Sequence, residues 1–235
     1  MWYWNQDNFE GILAVADSIA HESRWSDFAE YCRLREKGLR KKALASIDNL
    51  ITAADSWPTN ERRRFVTWII EAQQRLPEVH QLIVTPLQRK LIEPTLDEWS
   101  HAHPGDPIPK RLLGLATGNV DCFQQALDLA PDDDISRFRI ISRLVYDVDY
   151  QCHHLPDYFI GEPSKALDDL NVARDLSKLF VDKSIAESLA DEFTELTNKV
   201  NDWVVFQSSH QKSFAGWCDD NKRNYTWCRA YHYDA

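Results

Sequence analysis

A glycine followed by apolar residues at steps of five, four and three occurs three times in this chain: Gly38/Ala43/Ile47/Leu50, Gly118/Phe123/Leu127/Ala130 and Gly161/Ala166/Leu170/Ala173. Steps of four and three place the apolar residues on one helix face. The glycine supplies the turn that lets one helix fold back on the helix before it. The pattern predicts antiparallel helical hairpins, and stacked hairpins are usually scaffolds for binding other proteins.

The rest of the chain reads the same way. Asp7 and Glu10 form a capping-box pattern opening a helix to about His21, with Ile12, Ala16 and Ile19 on its buried face. A second helix spans Phe28 to Lys37 and a third Leu39 to Ala54, broken apart by Gly38. Pro58 precedes a helix that buries Phe65, Trp68, Ile69, Ala72 and Leu76. Thr85-Pro86-Leu87-Gln88 has the composition of an N-cap, and that helix is expected to bend or stop near Glu93, ahead of Pro94. Three prolines and a glycine make residues 101–109 the clearest loop and a possible joint within a single domain covering 1–235. Two helices follow, at Lys110–Ala116 and Val120–Ala130. Asp132, Asp133 and Asp134 cap the next, which buries Ile135, Phe138, Ile141, Leu144, Val145 and Val148. Residues 150–162 read as irregular. A helix from Pro163 or Ser164 to Phe180 comes next, then a longer one burying Ile185, Leu189, Phe193, Leu196, Val200 and Trp203, and a short one near Phe214–Cys218.

Composition supports helices. Seven glycines in 235 residues is few for a sheet protein, and 43% apolar content suits a packed core. The net charge of −10 repels nucleic-acid phosphates at long range and favours a basic protein partner. Five cysteines in no tight pairing pattern suggest reduced thiols in a cytoplasmic protein. No basic segment precedes the short apolar stretch Gly11–Ala16, which argues against a signal peptide, and no apolar run reaches membrane-spanning length.

Two stretches resemble tetratricopeptide repeats. Phe28–Ile51 has Gly38 at the turn, Ala43 at the small packing position and Ile47 at the large apolar one. Leu112–Pro131 has Leu113-Gly114 in its first helix, and Phe123, Ala126 and Pro131 closing its second. The copies stand 80 and then 43 residues apart, off the family's 34-residue period. The resemblance implies an all-α, irregular solenoid of stacked hairpins with a curved surface for a peptide or partner protein, and it brings no catalytic residues.

Chemistry-bearing residues are sparse. Cys152-His153-His154 and the pair His101/His103 have zinc-compatible side chains but no paired spacing. No nucleophile elbow, phosphate loop or dinucleotide fingerprint is present. No cofactor or metal is expected. Against the acidic background, Arg33, Arg35, Lys37, Arg40, Lys41 and Lys42 gather at the first hairpin's turn, and Arg62, Arg63 and Arg64 open the following helix. These cations either pair with the acidic half or form a site for an acidic peptide or a phosphate; without interleaved aromatics they do not read as a nucleic-acid surface. The aromatic tail, with Trp217, Tyr225, Trp227, Tyr231 and Tyr233, either caps the last hairpin or offers Trp217 and Trp227 as contact anchors.

The leading expectation is a non-catalytic interaction module for a protein or peptide. An inhibitor or immunity protein neutralising a basic toxin is the sharper form of it. A hydrolase using His101/His103 or His153/His154 is the rival class.

Overall fold

A computed structural model describes residues 6–76, 79 and 82–227, and every regular element among them is helical. The Asp7 and Glu10 side chains, the aromatics at 2–4 and 231–233, and Cys228 lie outside what is described. Backbone contacts divide the chain into two compact units, Met1–Cys122 and Phe123–Ala235.

The first unit contains α1 (Gln6–Ser18), α2 (Ser26–Glu36), α3 (Arg40–Ala54), α4 (Thr59–Arg75), α5 (Thr85–Leu87), α6 (Glu93–Ala102) and α7 (Ile108–Thr117). Helices α2 and α3 form a close hairpin, α1 lies on α2, and α6 packs on α7 across the loop after His101. Ala43, Ile47, Leu50 and Ala54 make a fully buried stripe on α3. An aromatic cluster fills the space beside it. Trp25 and Phe28 each meet Phe65 edge to face, with ring centroids 5.2 and 5.6 Å apart, the geometry ring quadrupoles favour.

Pro94 does not stop its helix. Residues Gln88–Ile92 form a π-helical turn between α5 and α6, in which the Glu93 N–H donates to the Gln88 carbonyl. The wider turn lets the helix run on past a residue that has no N–H to donate. Nor does Thr85 cap the helix. Val84 holds that position with extended backbone and no side-chain cap, while the Gln88 amide donates forward to Glu93 at 2.9 Å.

Helix α8 (Val120–Leu129) carries the boundary between the units. The second unit contains α9 (Asp134–Cys152), α10 (Pro163–Ser177), α11 (Lys183–Gln207) and α12 (Phe214–Asp220). Its core joins Ile141, Val145 and Val148 of α9 to Ala166, Leu170 and Ala173 of α10, and to Phe193, Leu196, Val200 and Trp203 of α11. Asp133 caps α9, accepting from the Ser136 backbone N–H at 3.4 Å and from the Ser136 hydroxyl at 2.9 Å. Asp134 accepts the backbone N–H groups of Val181 (2.9 Å) and Asp182 (3.1 Å) at the entry to α11.

The inner face of α9 differs from the apolar pattern. Ile135 and Phe138 are 50% and 37% exposed, whereas Arg137 is 3% exposed. The buried stripe runs through Arg137, Ile141, Val145, Val148 and Cys152. The Arg137 guanidinium is accommodated because it donates to Asp134 and to the Pro131 carbonyl and lies 5.7 Å from the Phe180 ring centre. Helix α9 also extends past Tyr150, and residues 153–157 turn tightly after it.

Gly38, Gly118 and Gly161 have φ of 70°, 72° and 89°. Gly118 ends α7 in the left-handed region, and a Cβ built there meets nothing within 4 Å. Gly118→Ala is therefore expected to lower stability by about 1 kcal/mol through backbone strain alone. Urea unfolding should show a lower midpoint with an unchanged slope.

Candidate functional site

The α2–α3 turn is built by its own sequence, Arg-Glu-Lys-Gly-Leu-Arg-Lys-Lys. Gly38 N–H donates to Arg35 and Leu39 N–H to Leu34, both at 2.9 Å. This is a Schellman closure, and its left-handed position requires Gly38. The reversal brings Arg35 from the end of α2 next to Arg40 from the start of α3. With Leu44, Ile83, Val84, Thr85 and Pro86 these two arginines line a groove of about 430 Å³. Two cations thus stand over a largely apolar floor.

The start of α3 is electrostatically unfavourable. Its first turn has no acidic residue and no side-chain cap, yet Arg40, Lys41 and Lys42 all sit on the positive end of its dipole. Among the described residues, Lys37, Arg40, Lys41 and Lys42 form no ion pair. Arg33 reaches Asp17 only at 3.8 Å.

The other basic group is elsewhere and differently used. Helix α4 starts beyond the far end of α3, about 22 Å along a helix of 15 residues. Arg62 pairs with Glu98 at 2.8 Å, and Arg63 lies 5.0 Å from the Trp99 ring centre. Arg64 makes a two-pronged bond to Glu22 at 2.7 Å in both contacts, reaches Glu61 at 2.9 Å and covers the Trp25 ring at 4.6 Å. Glu61 is mostly buried and also accepts the Trp25 indole N–H at 2.9 Å. The Arg64 bonds hold the Glu61 and Glu22 carboxyls below their ordinary value of 4.5. These three arginines hold helices together, and the structure does not bring them to the groove.

Trp217 is buried against Phe214, and Trp227 packs on Phe214 and Tyr225 with centroids 5.6 Å apart in each case. Both rings face the second unit's core. The tail is tied down by Asp202, a buried carboxylate that accepts from the Tyr225 hydroxyl and pairs with Arg223 at 2.8 Å. Burial, with Asp202 next, pushes the Tyr225 phenol up.

The described thiols are buried. Burial raises Cys32 and Cys152 to about 12 and Cys218 to about 11, far from a poised nucleophile. Among the described residues no three of His, Cys, Asp and Glu gather as a metal site. His101 bonds to the Asp97 carbonyl of its own helix at 2.7 Å, and His103 follows that helix on the surface. His153 and His154 stack with Tyr150 and Tyr158. The tyrosines three and four positions from the histidines were the available sequence signal for this aromatic group.

Charge is divided unevenly. Phe123–Ala235 has 20 acidic and 12 basic residues, a net of −8, against 17 and 15 in Met1–Cys122, a net of −2. No helix among the described residues is long and apolar enough to cross a membrane. No family model, curated protein or solved structure matches the chain.

Arg64→Ala leaves Glu61 buried with the Trp25 N–H and a more distant Arg24 at 4.0 Å. A loss of about 2 kcal/mol is expected in urea unfolding at neutral pH. Because the folded Glu61 value is depressed, this stabilisation is complete above pH 4.5 and fades as pH falls through that folded value. Wild-type and variant unfolding curves should converge in acid.

Proposed function

We propose that the chain is a non-catalytic interaction module whose α2–α3 hairpin presents its groove to an acidic, apolar-bearing segment of a partner protein. The observation that carries this reading is the unneutralised positive charge at the start of α3. Arg40, Lys41 and Lys42 oppose the helix dipole, lack acidic partners among the described residues, and adjoin a groove with an apolar floor. Sequence choices that break a local rule without compensation concentrate at functional sites. Arginine in the groove suits carboxylate recognition because its planar fork matches two carboxylate oxygens. On this reading the hairpins act as tetratricopeptide-like units of an irregular solenoid, and the groove is the recognition face of one of them.

The test is a charge reversal, Arg40→Glu with Lys41→Glu. Placing acid on the positive end of α3 should raise stability by about 0.5 kcal/mol. The same change should abolish binding of fluorescein-labelled peptides that alternate glutamate and leucine, read by anisotropy. Arg62→Ala should leave that binding intact. If the wild-type chain binds no such peptide, or the reversal leaves binding unchanged, the reading fails.

A further inference from the structure

The second unit has an aromatic surface that the groove does not explain. At the end of α9 the Tyr150 and His153 rings are near parallel, 7° apart with centroids separated by 6.4 Å. His154 and Tyr158 are also near parallel, at 12° and 4.7 Å. An edge contact between His153 and His154, at 82° and 5.3 Å, joins the two pairs into one row. Tyr150 and Tyr158 remain 56% and 51% exposed, and Tyr146, one turn earlier on α9, is 62% exposed. Roughly half of each tyrosine faces water, so three neighbouring rings form one exposed aromatic patch.

The row is held in place from below. Leu155 is 1% exposed and Phe159 is buried in the core. The Ile160 N–H donates to the Gln151 carbonyl at 2.9 Å, and the Tyr158 N–H to the His154 carbonyl at 3.2 Å. The backbone that carries the rings is therefore set before any ligand arrives, which lowers the ordering cost of binding.

The charge around the row selects a ligand. Each of its two tyrosines directly follows an exposed aspartate, Asp149 and Asp157, and neither forms an ion pair among the described residues. The unit's net charge of −8 adds a long-range attraction for cations. Exposed π faces on an acidic unit attract guanidinium groups, which stack on the ring and are drawn in by the surrounding carboxylates. A nucleobase would also stack on such rings, but its phosphates would meet repulsion.

We infer that the Tyr150–His153–His154–Tyr158 row, with Asp149 and Asp157, is a docking surface for an arginine-bearing segment of a partner protein. It is independent of the α2–α3 groove and takes the opposite charge.

The test uses the full chain and a fluorescein-labelled peptide of alternating arginine and glycine, read by anisotropy at about 0.15 M salt. The peptide should bind, and its serine-for-arginine counterpart should not. Tyr150→Ala with Tyr158→Ala should weaken binding about tenfold, whereas Tyr150→Phe with Tyr158→Phe, which keeps the π faces, should retain it. Asp149→Asn with Asp157→Asn should also weaken it about tenfold. A control pair on the exposed face of α11, Asp191→Asn with Glu192→Gln, removes the same charge elsewhere and should have little effect. Circular dichroism establishes that each variant is folded. If the alanine pair does not fold, the phenylalanine, asparagine and control pairs decide. The inference is overturned if the arginine peptide does not bind, if the control pair weakens binding as much as the Asp149/Asp157 pair, or if the folded alanine pair binds like wild type. Tighter binding of a labelled oligothymidine than of the arginine peptide overturns it as well. Arg40→Glu with Lys41→Glu should not reduce arginine-peptide binding, so failure here is separate from failure at the groove.

Discussion

The first unit depends on one mostly buried carboxylate. Glu61 lies in the first turn of α4, where the helix dipole favours a negative charge. It accepts from the Trp25 indole and from Arg64, and Arg64 in turn covers the Trp25 ring and grips Glu22. This fixes the start of α2 against the start of α4 while the Trp25 ring packs on Phe65 and Trp68. A buried charge contributes little to net stability when well paired, but any other arrangement leaves it unpaired at high cost. The network therefore acts chiefly on geometry. It sets the direction of α2, and the far end of α2 delivers Arg35 to the groove.

Arginine has two fates in this unit, and position along the hairpin decides between them. At the start of α4, the Glu22 and Glu98 carboxylates come within bonding distance, so Arg62 and Arg64 become cross-links. At the start of α3 no described carboxylate pairs with Arg40, Lys41 or Lys42, so their charge is presented outward. In the second unit the excess charge is acid, and the exposed rings stand among it.

Much of the helical layout was legible because it is local. Gly38, Gly118 and Gly161 all adopt positive φ, and the stripes Ala43/Ile47/Leu50 and Ala166/Leu170/Ala173 are fully buried. The failures have non-local or compensatory causes. Periodicity placed Phe138 inside; Arg137 holds that place, with its two terminal nitrogens donating to Asp134 and the Pro131 carbonyl and its guanidinium against the Phe180 ring. Pro94 is expected to bend or stop its helix; the helix does not stop, and its irregularity is a π turn just before the proline. The partition of the basic residues was hidden, because Glu22 and Glu98 lie 42 and 36 positions from their partners. His153 and His154 read from the sequence as zinc-compatible but without paired spacing. Their geometry with Tyr150 and Tyr158 makes them the inner rings of a stack.

The Asp134 clasp has a consequence for the order of folding. Its carboxylate joins backbone N–H groups 47 and 48 residues downstream. A free chain would close so long a loop only rarely, since loop closure loses entropy for a single carboxylate's reward. Once α9 and α10 have zipped into their local hairpin, the separation left to close is the short connection from α10 to α11. Asp134 thus closes after the hairpin and cannot nucleate it. It works as a late latch that registers the first turn of α11 on an existing template, so weakening it would quicken unfolding far more than it would slow folding.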